Sequence, residues 1–249
     1  MTKSLSQEHF GARARDYVQS KPHAQGKSLE RLTALTEPQS GWQVLDVATG
    51  AGHVAYAFAP HVARVWATDI TDEMLAIVRE QAAERKLPNI RAAHAKAESL
   101  PFEDATFDLV TSRIAPHHFD SIADFLSETR RVLKPGGIFA LVDNVVPEGA
   151  VGDYVNAFER FRDPSHLRAW DMAEWRAAIS KAGLSVTHEE EIFKRMEFAS
   201  WAQRHDANMQ RFLRAMLIEA TPAVREFLQP AADGSTFRLS EGLFIAKAP

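Results

Sequence analysis

Between residues 46 and 54 the chain reads Asp46-Val47-Ala48-Thr49-Gly50-Ala51-Gly52-His53-Val54, with an apolar run at 42–48 before it and helical spacing at 54–59 after it. A glycine turn that sharp, at the carboxyl end of a strand, lets backbone amides and a helix N-terminus approach a ligand that side chains would block. Residues 62–70 are β-branched and aromatic, and 74–85 return to helical spacing. Strand, turn, helix, strand and helix in that order predict a parallel sheet with its crossovers packed on the faces.

Nineteen residues after Gly50 the second strand ends at Asp69. An acidic side chain there can accept hydrogen bonds from both ribose hydroxyls of an adenosine ligand. The glycines alone are weak evidence, since Gly50-Ala51-Gly52-His53-Val54-Ala55 also fits the dinucleotide fingerprint. Asp46 shifts the balance. It lies inside the strand end, four residues ahead of Gly50, where a dinucleotide fold normally carries an apolar residue.

Further strands are expected at 89–94, 107–113 and 138–144, with a helix at 122–133. Lys134-Pro135-Gly136-Gly137 should stop that helix and turn into the strand, proline ending the one and glycine supplying positive φ for the other. The apolar first, fourth and fifth strands suit central positions covered on both faces. After Asn144 the rhythm breaks: 147–181 is helical and aromatic, 184–193 reads as a strand, 198–229 as helical and 237–246 as a last strand. Ahead of the first strand, residues 5–36 fit two helices broken at Lys21-Pro22. No repeat or long linker divides the chain. One domain over 1–249 is expected, with an N-terminal helical segment (1–40), a ligand-binding core (41–145), a helical lid with a late strand (146–235) and a final strand (236–249).

The 29 basic and 33 acidic side chains leave a net charge of −4, which offers no electrostatic footprint to a nucleic-acid backbone and disfavours that partner. Without cysteine the chain has no disulfide, thiolate metal site or cysteine nucleophile. The first ten residues are polar, and nowhere do about 18 apolar residues run together, so a cytoplasmic protein with no membrane partner is expected.

The unit around Gly50 resembles motif I of class I methyltransferases, D/E-x-G-x-G-x-G, with Ala48 standing for the first glycine. Ala97-Glu98-Ser99-Leu100-Pro101-Phe102, Phe107-Asp108-Leu109-Val110 and Arg131-Val132-Leu133-Lys134-Pro135-Gly136-Gly137 follow in the order and spacing of the ubiquinone/menaquinone-biosynthesis (UbiE-like) type. Arg113-Ile114-Ala115-Pro116-His117-His118-Phe119 and Arg162-Asp163-Pro164-Ser165-His166-Leu167-Arg168 look like a bacterial subgroup of largely uncharacterised members. The resemblance implies a Rossmann-like α/β fold: a doubly wound, mostly parallel seven-stranded sheet with an antiparallel last strand, N-terminal helices and a helical lid. It also implies S-adenosylmethionine as cofactor. By matched position, Ala48, Gly50 and Gly52 would face its methionine part, with Asp46 near the amino group. Asp69 would hold the ribose, Ile70 and Leu100 would sandwich the adenine, and Ala97 with Glu98 would make polar contact at its edge. Tyr17 from the N-terminal helices and Ser112 at the end of the fourth strand would complete the set. Many relatives carry an acidic residue where this chain has Lys96, which is expected to point to solvent.

Methyl transfer is an in-line displacement, so aligning the reactants and excluding water supply most of the acceleration. A hydroxyl or protonated amine acceptor needs a general base as well. Open α/β sheets bind ligands beyond the carboxyl ends of their strands; here those ends hold Ser112, Arg113, His117, His118, Asp143 and Asn144. His117 is the candidate base or ligand contact. His166 and Arg168, in an irregular Asp-Pro-Ser segment, are candidates for orienting the acceptor. Phe158, Phe161 and Trp170 either face the pocket or form the lid's own core. His117, His118 and His166 have no recognised metal-ligand spacing, and no metal is expected. The implied activity is methyl transfer to a small molecule; a homo-oligomer is open but not indicated. Two rivals remain, an NAD-dependent oxidoreductase using the same loop and a non-catalytic cofactor-binding protein of the same fold.

Overall fold

The computed structural model describes residues 26–249. Tyr17 and the first of the two expected N-terminal helices lie outside the described residues; the second is α1 (Lys27–Thr36). Seven strands form one sheet: β1 (Gln43–Val47), β2 (Arg64–Asp69), β3 (Ile90–His94), β4 (Phe107–Arg113), β5 (Leu133–Val145), β6 (Ser185–Glu197) and β7 (Thr236–Lys247). Their order is β3-β2-β1-β4-β5-β7-β6. The first five pair in parallel, and β7 runs antiparallel to both β5 and β6. Helices α2 (His53–Phe58), α3 (Asp72–Glu84) and α4 (Ile122–Val132) make the crossovers. Strand order reverses between β1 and β4, and a crevice opens at the carboxyl ends of strands at such a switch point.

Alternation along the central strands builds a core on each face. Leu45, Val47, Phe139 and Leu141 pack with Phe107, Phe125 and Trp175 on one side. Val44, Ala140 and Val142 pack with Val54, Phe58 and Val65 on the other. Burial on both faces is why β1, β4 and β5 read as continuous apolar runs.

The Lys134-Pro135-Gly136-Gly137 turn does not separate helix from strand as expected. β5 already begins at Leu133, which pairs with Phe107, and the intervening residues bulge before Ile138 pairs with Leu109. Gly136 takes φ 72, and a Cβ on Gly137 would lie 2.9 Å from the Lys134 carbonyl oxygen. The helical stretch at 147–181 divides into α5 (Ala150–Arg162) and α6 (Met172–Lys181), the latter started by an Asp171/Glu174 capping box. The stretch at 198–229 divides into α7 (Phe198–Trp201), α8 (Ala207–Ile218) and α9 (Pro222–Leu228).

These helices have a core of their own, built from Val155, Phe158, Trp201, Leu213, Leu217 and Phe237. Phe158 stacks on Trp201 with ring centroids 4.7 Å apart. Phe161 is exposed and meets Phe212 edge-on, while Trp170 packs against the main core. Phe158 thus belongs to the core of these helices, Phe161 lies at the surface, and Trp170 is partly buried against the main core. Among the described residues no helix is long and apolar enough to cross a membrane.

Candidate functional site

Past β1 the backbone turns left-handed three times, at Ala48 (φ 55), Gly50 (φ 53) and Gly52 (φ 87). Glycine does this freely, whereas Ala48 carries a steric cost of roughly 1–2 kcal/mol at the position where the resemblance expects glycine. A Cβ on Gly50 would meet nothing within 4 Å, so the space above the turn is open; on Gly52 it would lie 2.6 Å from Tyr56 Cζ and Oη. Thr49 N donates to the Thr68 carbonyl at 2.8 Å and Gly52 N to the Thr49 carbonyl at 3.0 Å. Gly50 N donates to Asp69 Oδ2 at 2.9 Å and Thr71 N to Asp69 Oδ1 at 2.9 Å. Asp69 thus ties the end of β2 to the turn beyond β1 and keeps a further lone pair on each oxygen. Burial pushes its carboxyl above the usual range, against the pull of those two amides.

Asp46 lies buried at the end of β1. Its Oδ2 accepts from Thr49 Oγ1 at 2.6 Å and its Oδ1 from Thr111 Oγ1 at 3.1 Å. Burial nevertheless holds the carboxyl up at about 7, so a cation brought beside it would pull a proton off at neutral pH.

Ile70 follows Asp69 at the end of β2, and Ala97 and Leu100 are buried. Leu100 N donates to Glu128 Oε2 at 2.7 Å. Glu98 Oε1 accepts from Asp120 N at 2.9 Å and Ser121 N at 3.3 Å, bracing the entry to α4. Lys96 lies half-exposed at the surface, where its Nζ pairs with the exposed Asp120 at 2.8 Å. Ser112 is fully buried and donates to the Val47 carbonyl at 3.0 Å. That bond stitches β4 to β1 and turns the hydroxyl into the sheet.

Beyond β4, Ile114 takes φ 53 and leads into a 3₁₀ turn, Pro116–His118. His117 Nδ1 lies 2.6 Å from Asp143 Oδ1 on β5, and both side chains are buried. A carboxylate oxygen only accepts, so Nδ1 carries the proton and Nε2 the lone pair of the neutral ring. Burial pulls this imidazole down, the charges of Asp143, Glu159 and Asp163 pull it up, and the net displacement is upward. The segment 163–168 seats on the same turn. Leu167 N and Arg168 N both donate to the His117 carbonyl, at 2.9 and 3.2 Å, and His118 Nδ1 donates to the Ser165 carbonyl at 2.9 Å.

His166 reaches the cluster, its ring centroid 5.2 Å from that of His117. Its Nε2 donates to Asn156 Oδ1 at 2.8 Å. The Asn156 amide is oriented by Ala169, donating to its carbonyl at 3.0 Å and accepting from its N–H at 2.7 Å. Burial, helped by the charges of His117 and His118, lowers His166 to about 2, and the ring stays neutral. Arg168 is not brought to the cluster. Its side chain is 55% exposed and pairs with Glu174 at 2.6 Å. Sequence reasoning missed Glu159, a buried carboxylate on α5 that acts electrostatically on His117; the signal was its spacing of four from Val155 on the inward face.

A seven-stranded sheet in this order, a glycine turn tied to a carboxylate at the next strand end, and a polar cluster beyond β4 and β5 match what is expected of an α/β enzyme of the methyl-transferring class. Residues 45–141 match the family model described as a methyltransferase domain. The uncharacterised methyltransferase YcgJ of Bacillus subtilis is 38% identical over 196 residues, 78% of either chain. The solved YcgJ structure aligns at a TM-score of 0.85 and 33% identity over 89% of this chain and 97% of that one. A solved structure from Bacillus halodurans C-125 gives 0.86 and 34% over 90% of this chain and all 100% of the other. The chain belongs to the class I S-adenosylmethionine-dependent methyltransferase family.

The residues present fit the cofactor that this family implies. The space that a Cβ on Gly50 would enter is open, and two buried carboxylates, Asp46 and Asp69, flank the turn where an ammonium and a ribose need acceptors.

Proposed function

We propose that this enzyme moves the methyl group of S-adenosylmethionine onto a small molecule held between the ends of β4 and β5 and the segment 163–168, the whole chain working as one domain. The carrying observation is the double tie at Asp69, which leaves a lone pair on each carboxylate oxygen beside an open glycine turn. In this reading Ala48, Gly50 and Gly52 line the methionine end and Asp46 meets the ammonium. Asp69 accepts from the ribose, Ile70 and Leu100 flank the adenine, and Ala97 and Glu98 meet its edge. When bound, the sulfonium supplies an electrophilic methyl carbon. The chain's part is to fix the ribose, aim the acceptor and keep water from the gap.

A UbiE-like placement is supported by 36% identity to a demethylmenaquinone methyltransferase of Chlorobaculum tepidum over 126 residues, 50% of this chain and 48% of that one. Half-length similarity supports the chemistry, not the quinone. Fold alone does not decide activity either, since the [4+2]-cyclase SpnF shares it at a TM-score of 0.63 and 21% identity.

The test combines calorimetry with S-adenosylhomocysteine and incubation of labelled cofactor with a metabolite extract, read by mass spectrometry. Tight binding and one newly methylated species are expected. Displacement of the labelled cofactor by NAD would favour the oxidoreductase, and binding without any methylated product would favour a non-catalytic protein.

A further inference from the structure

We propose that the cleft between α3 and the free edge of β3 is a second binding site, which takes a small anion carrying an unbranched aliphatic chain. The proposal goes beyond methyl transfer and does not rest on it. The cleft has a volume of about 500 Å³, and three cations but no carboxylate line it. Its floor is aliphatic: Val78 and Ala82 of α3 meet Leu87 and Ile90. Its rim carries the exposed side chains of Arg79, Lys86 and Arg91. Lys86 lies about 20 Å along the helix from Asp72, so an occupant leaves the glycine turn free.

Local backbone geometry builds that rim. α3 ends in a Schellman motif, with Leu87 N donating to the Ala82 carbonyl at 2.9 Å and Lys86 N to the Ala83 carbonyl at 3.1 Å. The left-handed position of this motif favours glycine, yet Lys86 holds it at φ 58, at a conformational cost that glycine would not carry. β3 is an edge strand. Val65 N of β2 donates to the Asn89 carbonyl at 3.1 Å, and Ala95 N to the Asp69 carbonyl at 3.1 Å. By alternation, Ile90 and Ala92 turn their main-chain groups to the free edge. There Arg91 Nη1 donates to the Ile90 carbonyl at 3.1 Å and the Pro88 carbonyl at 2.7 Å, while Arg79 Nη2 reaches the Ala92 carbonyl only at 3.5 Å. Both guanidiniums are held at the mouth with most of their five donors unspent. They also cover the carbonyls that an added peptide strand would need.

Charge and lining together select the ligand. Elsewhere Arg31, Lys96, Arg131, Lys134 and Arg176 each pair with a carboxylate, in a chain whose net charge is −4. Among the described residues no ion pair engages Arg79, Lys86 or Arg91, so three unneutralised cations around one hollow call for an anion. The floor offers no aromatic ring and no hydrogen-bonding side chain, and a nucleobase or sugar would leave its polar groups unmatched there. An alkyl chain matches the floor, and a carboxylate or phosphate head matches the rim. The exposed large apolar side chains, Phe161, Leu167, Phe193 and Phe212, lie on other elements. The cleft is concave with none of them at its mouth, which suits a free molecule entering it and not insertion into a bilayer.

The experiment titrates decanoate, below its micelle concentration, into the full chain and follows it by calorimetry and by NMR of labelled methyl groups. One decanoate per chain should bind, with saturable shifts at the methyls of Val78, Leu87 and Ile90. Decanol should bind about tenfold more weakly, and decyltrimethylammonium should leave those methyls unmoved. Arg79→Gln and Arg91→Gln should each weaken decanoate about tenfold. Lys86→Gly should weaken it as well while keeping or raising Tm, because glycine relieves the left-handed position; a variant that merely unfolded would lose both. Ala83→Glu, at an exposed position of the lining, should abolish binding with the fold intact. Absence of decanoate binding, equal affinity for decanol, full affinity in Lys86→Gly and Arg91→Gln, or shifts confined to methyls outside the cleft would each overturn the site. Capture by phosphatidylglycerol vesicles without binding of free decanoate would overturn it too, and make the cations a membrane contact. The same shifts are expected with and without saturating S-adenosylhomocysteine, so failure of the cofactor reading leaves this result standing.

Discussion

Replacing Asp46 with asparagine tests the charge buried beneath the glycine turn. Burial holds this carboxyl at about 7 in the folded protein against an ordinary 3.8. At about 1.36 kcal/mol per unit, ionising it in place costs ~4 kcal/mol relative to the unfolded chain. The sign follows from the upward displacement: the folded state binds the proton more tightly. The contribution is fully present below the unfolded value of 3.8 and is lost as pH rises through about 7. Asparagine cannot ionise and can still serve both neighbours, its Oδ1 accepting from one threonine hydroxyl and its Nδ2 donating to the other. Urea unfolding of both proteins from about pH 4 to about pH 8.5 should therefore show Asp46→Asn gaining on the wild type as pH rises, by up to ~4 kcal/mol at the alkaline end. Parallel stability curves would refute the reasoning, because the buried carboxyl would then ionise at no cost.

Gly50→Ala should cost about 1–2 kcal/mol of stability from its left-handed backbone alone, measured by urea unfolding. Gly50→Val should also fill the open space above the turn and abolish S-adenosylhomocysteine binding; unchanged affinity in calorimetry would contradict the loop's role. Asp69→Ala strips the acceptor from the Gly50 and Thr71 amides and should weaken S-adenosylhomocysteine by about 1.5–3 kcal/mol, with wild-type affinity counting against the ribose assignment. Arg168→Ala breaks an exposed ion pair with Glu174 and removes a guanidinium lying 5.9 Å from the Trp170 ring centroid, and should change stability by no more than about 1 kcal/mol. It should leave methyl transfer intact, and a large loss of turnover would return Arg168 to the acceptor.

What was legible in the sequence followed from local demands. Glycine at 50 and 52 answers to positive φ, Asp69 ends a strand, and strands buried on both faces read as apolar runs, so sheet and loop could be placed residue by residue. Ala48 shows the limit of that logic: it holds the left-handed conformation without the glycine that would announce it. The acceptor side was less legible because its partners are distant in the chain. Asp143 meets His117 across 26 residues, and Glu159 shows only as a polar residue on an apolar helix face. His166 and Arg168 sit two apart in an irregular segment, where no periodicity tells inward from outward; one is buried against Asn156 and the other pairs with Glu174 at the surface.

The segment 163–168 is joined to the turn carrying His117 through its main chain. Its grip on the 3₁₀ turn is made by backbone atoms, the Leu167 and Arg168 amides on the His117 carbonyl, and Arg160 reinforces it by donating to the carbonyls of His166 and Leu167. Bonds of that kind do not depend on which side chains the segment carries. Side chains there can change without moving the imidazole, whereas a proline at 167 or 168 would remove one of the two donors and release the turn. The ring itself is held by Asp143, a residue of the sheet, while its main chain is held by the segment 163–168. Side-chain variation along 163–168 therefore leaves both holds on His117 in place.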